Sequence, residues 1–130
     1  MTEIVHKELS YKIIGIAMEV HNTLGGGFLE KVYENSMMLL FEENNLNAKN
    51  QVKIDVFFKN KVVGDYVADI LVDDKIILEL KTVEKISDIH RAQLFNYLKA
   101  TNKKLGIIIN FKNKSNYSGI PKTWNIKLLY

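Results

Sequence analysis

The sequence contains no cysteine, a single proline and no apolar run approaching the roughly 18 residues that a bilayer-spanning helix needs. The absence of cysteine excludes a disulfide framework and a thiolate-ligated metal site. The N-terminal stretch MTEIVHKELSYKII is too polar for a secretory signal peptide, so we expect a cytoplasmic protein that does not associate with membranes. The 130 residues, 47% of them hydrophobic and 25% charged, are typical of one globular domain covering residues 1–130.

The positive charge is concentrated in the second half of the chain. Residues 1–65 carry 7 Lys and 9 acidic residues, whereas residues 66–130 carry 11 Lys or Arg and 6 acidic residues. The two halves therefore have net charges of −2 and +5. Such an asymmetry is compatible with a polyanionic partner such as nucleic acid, although surfaces that bind nothing are often as basic.

Hydrophobic periodicity predicts two helices, three strands, a third helix and two further strands, in that order. The first two helices are expected at about residues 8–23 and 28–44, and the third begins after Ser87 as its N-cap. Three strands lie within residues 52–83, a fourth covers KLGIIINF, and a last strand follows a turn at Pro121. Because a helix links the third and fourth strands, we expect a right-handed crossover and a parallel pair within an α/β (α+β) sandwich.

Apolar residues at helical spacing predict which face of each helix is buried. On the second helix this face includes Leu29 and Val32. On the third helix it includes Ile89, Ala92, Leu94, Phe95 and Leu98.

Charged residues interrupt the otherwise apolar segment DILVDDKIILELK, which runs from Asp69 to Lys81. Its middle predicts a hairpin turn between two β-rich runs. Since side chains alternate along a strand, Glu79 and Lys81 share a face. A three-residue loop at 73–75 would place Asp69 directly opposite Glu79, with Cβ atoms about 5 Å apart. A two-residue loop would instead place Asp69 opposite Leu78, and the carboxylates would separate.

Two carboxylates this close repel each other unless a cation lies between them, and oxygen ligands favour Mg²⁺ or Mn²⁺ over zinc. Lys81 could then orient a water molecule or stabilise charge that develops on a phosphate. The alternative is an ordinary amphipathic strand end in which Asp69 pairs with a lysine across the strands. On the third helix, Gln93 and Tyr97 share a face at i, i+4, and we interpret the nearby His90 as a surface residue.

Together these motifs resemble the PD-(D/E)xK phosphodiesterase superfamily, whose signature is an aspartate on one strand and Glu-x-Lys on the next. Gly27, Glu30 and Tyr33 in GFLEKVY match, more narrowly, the small bacterial and archaeal family named GxxExxY. Taken alone, a carboxylate in the first turn of a helix is stabilised by the helix dipole without any functional role. The segment from YVADILV to GIIINF resembles that family along its whole length, so the resemblance covers about residues 8–112.

The resemblance implies a restriction-endonuclease-like αβββαβ core and a nuclease that depends on Mg²⁺ or Mn²⁺. Asp69 and Glu79, with the Leu80 carbonyl, would be the metal ligands. Glu30 would complete the catalytic and metal site, and Lys81 would be the catalytic lysine. The family would have proline rather than glycine between the first and last glycines of the GGG triplet, a departure that removes no chemical group.

The resemblance also implies how substrate binds. Gln93 and Tyr97 match the Q-x-x-x-Y motif of RecB-type nucleases, which lines the site and contacts substrate. The implied partner is nucleic acid, most directly DNA. The alternatives are a nucleic-acid-binding or partner-binding module that keeps the fold without cleaving, and a subunit that is active only with a partner. A chain of this size would need a dimer to cut both strands in one encounter, so a homodimer or larger complex stays open.

Overall fold

The computed structural model describes residues 5–112 and 126–129. The helices and strands occur in the order predicted from the sequence. They are α1 (Lys7–Leu24), α2 (Glu30–Glu43), β1 (Ala48–Phe58), β2 (Lys61–Val72), β3 (Ile76–Lys81), α3 (Asp88–Thr101), β4 (Leu105–Asn110) and β5 (Ile126–Leu129). The turn predicted at Pro121 lies outside the described residues.

The strands form one mixed sheet in the order β1-β2-β3-β4-β5. β1, β2 and β3 form an antiparallel meander, β4 lies parallel to β3, and β5 is antiparallel to β4. The parallel pair follows from α3, which carries the chain from the end of β3 back to the start of β4. The predicted mixed sheet flanked by helices is confirmed.

Two apolar clusters hold the helices against the two faces of the sheet. α1 and α2 pack on one face through side chains such as Ile13, Met37 and Leu78. α3 packs on the other face through Leu94, which lies in one cluster with Ile108. Every residue of β4 is buried, as expected of a central strand covered on both sides. Within the described residues, no helix is both long and apolar enough to cross a membrane.

The predicted buried faces of α2 and α3 are partly wrong. Five side chains predicted as buried are exposed, namely Leu29 (80%), Val32 (37%), Ile89 (77%), Phe95 (43%) and Ala92. The first of these precedes α2, which begins at Glu30, two residues later than the start expected at about residue 28. On α3 only Leu94 and Leu98 are buried. Helical spacing identified these two positions correctly but assigned too wide a stripe to a helix that lies at the surface.

Candidate active site

The β2–β3 hairpin has the three-residue loop that the carboxylate pair requires. Val72 pairs with Ile76, and the loop spans 73–75. Both aspartates of the loop adopt left-handed backbone conformations, with φ of 54° and 55°. Aspartate tolerates this conformation better than most residues because its short polar side chain can bond locally. This register places Asp69 and Glu79 next to each other on the two strands, as the three-residue loop predicts.

Beyond the last ladder pair, Ile70 with Leu78, Asp69 contacts β3 through its side chain. The Leu80 N–H donates a hydrogen bond to Asp69 Oδ2 over 2.8 Å. Leu78 and Leu80 both belong to the cluster under α1 and α2, so Glu79 between them points toward α3. The Asp69 carboxylate thus lies at the position where β2 and β3 cease to pair, beside the Glu79 residue of β3.

Tyr66 holds Glu79 from the β2 side. Its hydroxyl donates a hydrogen bond to Glu79 Oε1. The Tyr66 ring stacks on Tyr97 of α3, with centroids 4.0 Å apart and an interplanar angle of 17°. Tyr97, which was predicted to bind substrate, is therefore linked to the Glu79 carboxylate through a second tyrosine, Tyr66.

The carboxyl groups of Asp69 and Glu79 are more basic than ordinary carboxyl groups. Burial and the nearby charge of Asp69 raise the pKa of Glu79 to about 7, although the hydrogen bond from Tyr66 and the charge of Lys81 oppose this shift. Burial also raises the pKa of Asp69, and the charges of Glu34 and Glu30 raise it further. The hydrogen bond from the Leu80 N–H and the charge of Lys81 lower it, but they do not cancel the increase. Several negative charges therefore share a partly buried space with one lysine.

Lys81 lies next to Glu79 in a cavity of about 250 Å³ between β3 and α3. Gln93 and His90 of α3 line the same cavity. His90 is partly buried, contrary to its interpretation as a surface residue, because it takes part in the predicted cap of α3. Ser87 Oγ accepts the His90 N–H at 3.3 Å, and His90 Nδ1 accepts the Ser87 N–H at 3.1 Å.

Glu30 reaches the same region from α2. It is exposed in the first turn of the helix, and its Oε2 accepts the Thr82 N–H at 3.1 Å, directly after the end of β3. Its charge also contributes to the raised pKa of Asp69. The structure therefore brings Glu30 to the C-terminal end of β3, where it accepts the N–H of the residue that follows Lys81.

Tyr33, the last residue of the GxxExxY motif, has a structural place. Its hydroxyl donates to the Gly25 carbonyl at 2.6 Å and accepts the Phe28 N–H at 3.3 Å. The buried ring stacks on Phe111, with centroids 4.3 Å apart. The glycine loop needs its glycines at Gly25 and Gly27, whose φ values are 71° and 106°. Tyr33 thus fixes α2 to the loop that precedes it.

The structure brings five of the seven predicted site residues to the end of the β2–β3 hairpin, namely Asp69, Glu79, Leu80, Lys81 and Glu30. Gln93 lies across the cavity, and Tyr97 lies behind Tyr66. Tyr66 was not predicted, because regular alternation along β2 would place it on the opposite side of the strand from Asp69. Glu34, a buried carboxylate of α2, was not predicted either, and its only signal in the sequence was a position directly after the motif tyrosine.

The donor chemistry of this cluster suits a hard divalent cation. Asp69 and Glu79 offer only oxygen atoms, and burial, together with the charges of neighbouring carboxylates, raises the pKa values of both. A cation bound between them would favour their ionised forms. Within residues 5–112 and 126–129, no three Asp, Glu, His or Cys side chains are arranged to hold an ion. A pair of carboxylates is nevertheless what Mg²⁺ commonly takes from a protein, because it keeps several of its water molecules.

The fold and the site together define a mixed-sheet domain in which an aspartate from one strand meets a Glu-x-Lys sequence on the next. A family model of the PD-(D/E)XK nuclease superfamily matches residues 7–122. The chain belongs to the PD-(D/E)XK nuclease superfamily. Its narrower assignment to the GxxExxY family stays a prediction.

The crystal structure of SSO0001 resembles this chain with a TM-score of 0.51 and 21% sequence identity. The match covers 96% of this chain and 60% of that one, so this chain spans about 60% of the length of its structural relative. At this identity the resemblance concerns the fold, and it agrees with the restriction-endonuclease-like αβββαβ core expected from the sequence. No curated protein matches the sequence.

Proposed function

We propose that this protein is a nuclease that hydrolyses phosphodiester bonds of nucleic acid, most directly DNA, with Mg²⁺ or Mn²⁺ as cofactor. The observation that carries the proposal is the meeting of Asp69, Glu79 and Lys81 at the end of one hairpin, in a chain of a nuclease superfamily. An ordinary strand end would leave these carboxylates solvated, whereas here both have raised pKa values.

Asp69 and Glu79, together with the Leu80 carbonyl, would hold the cation, and Glu30 would complete the site at the end of β3. A bound divalent cation supplies Lewis-acid polarisation of the phosphate and activation of the attacking water. One oxygen of each strand carboxylate is held by a hydrogen bond. Asp69 accepts the Leu80 N–H, and Glu79 accepts the Tyr66 hydroxyl.

Lys81 would donate hydrogen bonds to the phosphate oxygen on which negative charge develops, since its side chain shares the cavity with Glu79. Gln93 lines the same cavity from α3 and would bind the substrate backbone through its amide. Tyr97 would contact substrate while supporting the Tyr66 ring. These roles place the scissile phosphate between β3 and α3.

The proposal is tested by a cleavage screen on supercoiled, linear, single-stranded and branched DNA and on RNA, with Mg²⁺, Mn²⁺ or EDTA. Lys81→Ala should slow cleavage by about 100-fold. Glu79→Ala should abolish both cleavage and Mn²⁺ binding in isothermal titration, while the circular dichroism spectrum stays unchanged. The matched control is Asp65→Asn, which changes an exposed carboxylate on β2 and should cleave as the wild type does.

Two results would contradict the proposal. Unchanged Mn²⁺ affinity in Glu79→Ala would show that Glu79 is not a metal ligand and would rule out the proposed metal site. No product on any substrate with either metal, combined with nucleic-acid binding that weakens as salt increases, would instead identify a binding module on the same fold. Sedimentation of the active species would show whether a homodimer or a larger complex cuts.

A further inference from the structure

The side chains of β2 change sides at the level of Asp69. Tyr66 and Ala68 pack in the cluster beneath α3, whereas Ile70 and Val72 pack in the cluster beneath α1 and α2. In a regular strand these four even-numbered residues would all share one face. The strand therefore rotates about its axis between Ala68 and Ile70, and Asp69 is the residue at which the rotation occurs.

The neighbouring strand β1 changes sides at the same level. The Asn50 side chain reaches α2, while Val52 and Ile54 pack beneath α3. Asn50 pairs with Ile70 and Val52 pairs with Ala68, but no ladder pair joins the residues between them. The unpaired residue of β1 is Gln51.

Gln51 has a left-handed backbone, with φ of 51° inside a strand. This conformation is unfavourable for a non-glycine residue and persists only where surrounding contacts hold it. Such contacts come from α2. Glu34 Oε1 accepts the Gln51 amide at 2.8 Å. Its Oε2 accepts the Asn50 amide at 2.8 Å and the Lys31 ammonium at 2.9 Å.

Glu34 is only 4% exposed. Burial by itself raises the pKa of Glu34, but the hydrogen bonds from Asn50, Lys31 and Gln51 outweigh burial and leave the pKa below its ordinary value. Glu34 is therefore an ionised acceptor, and both of its carboxylate oxygens accept hydrogen bonds. Because charge-assisted hydrogen bonds are stronger than neutral ones, it can hold Gln51 in the unfavourable conformation.

We propose that Glu34 is a positioning residue for the active site. It holds Gln51 in the left-handed conformation, which interrupts the β1–β2 ladder opposite Asp69 and lets the Asp69 carboxylate turn to the Leu80 N–H beside Glu79. The part of this proposal that concerns catalysis rests on the proposed nuclease function. The part that concerns the Asp69 carboxylate does not, and it can be measured without metal or nucleic acid.

The test compares the amide hydrogen exchange of Leu80 with that of Leu78, a ladder residue of the same strand, in metal-free protein by NMR. Glu34→Met keeps side-chain length and helix propensity but removes the acceptor, and it should speed Leu80 exchange relative to Leu78 by about tenfold. Gln51→Val, which changes an exposed residue to one that disfavours positive φ, should do the same. Glu42→Met, the same substitution at an exposed position of α2, should leave the ratio unchanged.

Gln51→Gly provides the decisive rescue. Glycine adopts positive φ without a partner, so the double variant Glu34→Met, Gln51→Gly should recover the wild-type exchange ratio. If DNA is cleaved, Glu34→Met should lower kcat by about tenfold with little change in KM, and the double variant should recover it. An unchanged Leu80 ratio in Glu34→Met and Gln51→Val, or a double variant that exchanges as fast as Glu34→Met, would overturn the proposal. A wild-type protein that cleaves nothing would affect only the proposed nuclease function, since the exchange ratios would still decide the role of Glu34.

Discussion

Replacing Glu79 with glutamine should stabilise the metal-free protein at high pH and leave its stability unchanged at low pH. Burial and the charge of Asp69 raise the pKa of Glu79 to about 7, from an ordinary value of 4.5. The folded protein therefore binds the Glu79 proton more tightly than the unfolded chain does. The stability that this proton contributes is fully present below a pH of about 4.5 and is lost as the pH rises through about 7.

The size of this effect follows from the two pKa values. The difference between 4.5 and about 7 corresponds to about 3 kcal/mol, at about 1.4 kcal/mol for each tenfold change in proton affinity. Glutamine carries no charge to desolvate, and its carbonyl oxygen can still accept the Tyr66 hydroxyl. We expect Glu79→Gln to exceed the wild type by about 3 kcal/mol at about pH 8 and to match it within about 0.5 kcal/mol at about pH 4.5.

Urea denaturation followed by circular dichroism in EDTA measures this difference, provided that the slope of unfolding free energy against urea is the same in both proteins. Glu42→Gln, which changes an exposed carboxylate of α2, is the control and should follow the wild type at every pH. A variant that is less stable than the wild type at about pH 8, or a difference that does not depend on pH, would refute the burial of Glu79 beside Asp69.

Three further results should follow from the same site. Adding Mn²⁺ should raise the urea midpoint of the wild type, since a ligand that binds only the folded protein stabilises it, and should leave Glu79→Gln unchanged in the same titration. Tyr66→Phe removes a hydrogen bond that favours the ionised form of Glu79, so calorimetry should show an Mn²⁺ affinity that is lower by about tenfold. Equal affinity in the variant and the wild type would mean that Tyr66 has no role in metal binding. Lys81→Met should lower kcat on a cleaved substrate by about 100-fold with Mn²⁺ affinity retained, and loss of metal binding instead would mean that Lys81 acts by holding the carboxylates.

The local part of the site was predictable because it depends on chain parity within one hairpin. The loop length decides which residues face each other, and the turn residues of the loop favour the conformation that the structure shows. Parity alone left two arrangements open, because a two-residue loop would have separated Asp69 from Glu79. The family resemblance favoured the arrangement that groups Asp69, Glu79 and Lys81. The placement of Glu30 and Gln93 followed from the family resemblance, since no local rule relates α2 or α3 to the end of β3.

Tyr66 was not predicted because the alternation of side chains along a strand fails at the site itself. Counting by twos along β2 separates Tyr66 from Asp69, and only a rotation of the strand brings both to Glu79. That rotation depends on the left-handed backbone of Gln51, a residue with no intrinsic preference for positive φ. Its cause is a carboxylate 17 residues earlier in the chain, on another element. Single-strand periodicity contains no information about such a contact.

The spacing of the GxxExxY motif has a physical explanation in α2. Glu30, Tyr33 and Glu34 lie at i, i+3 and i+4, so they project from neighbouring positions on one side of the helix. Their contacts differ, since Glu30 bonds the main chain after β3, Tyr33 bonds Gly25 and stacks on Phe111, and Glu34 bonds β1. The buried tyrosine fixes the helix against the sheet, and this allows the two glutamates to reach different strands at once. A shift of α2 by one residue would rotate this face by about 100° and would remove both glutamates from their partners, so the position of α2 determines the geometry of the site.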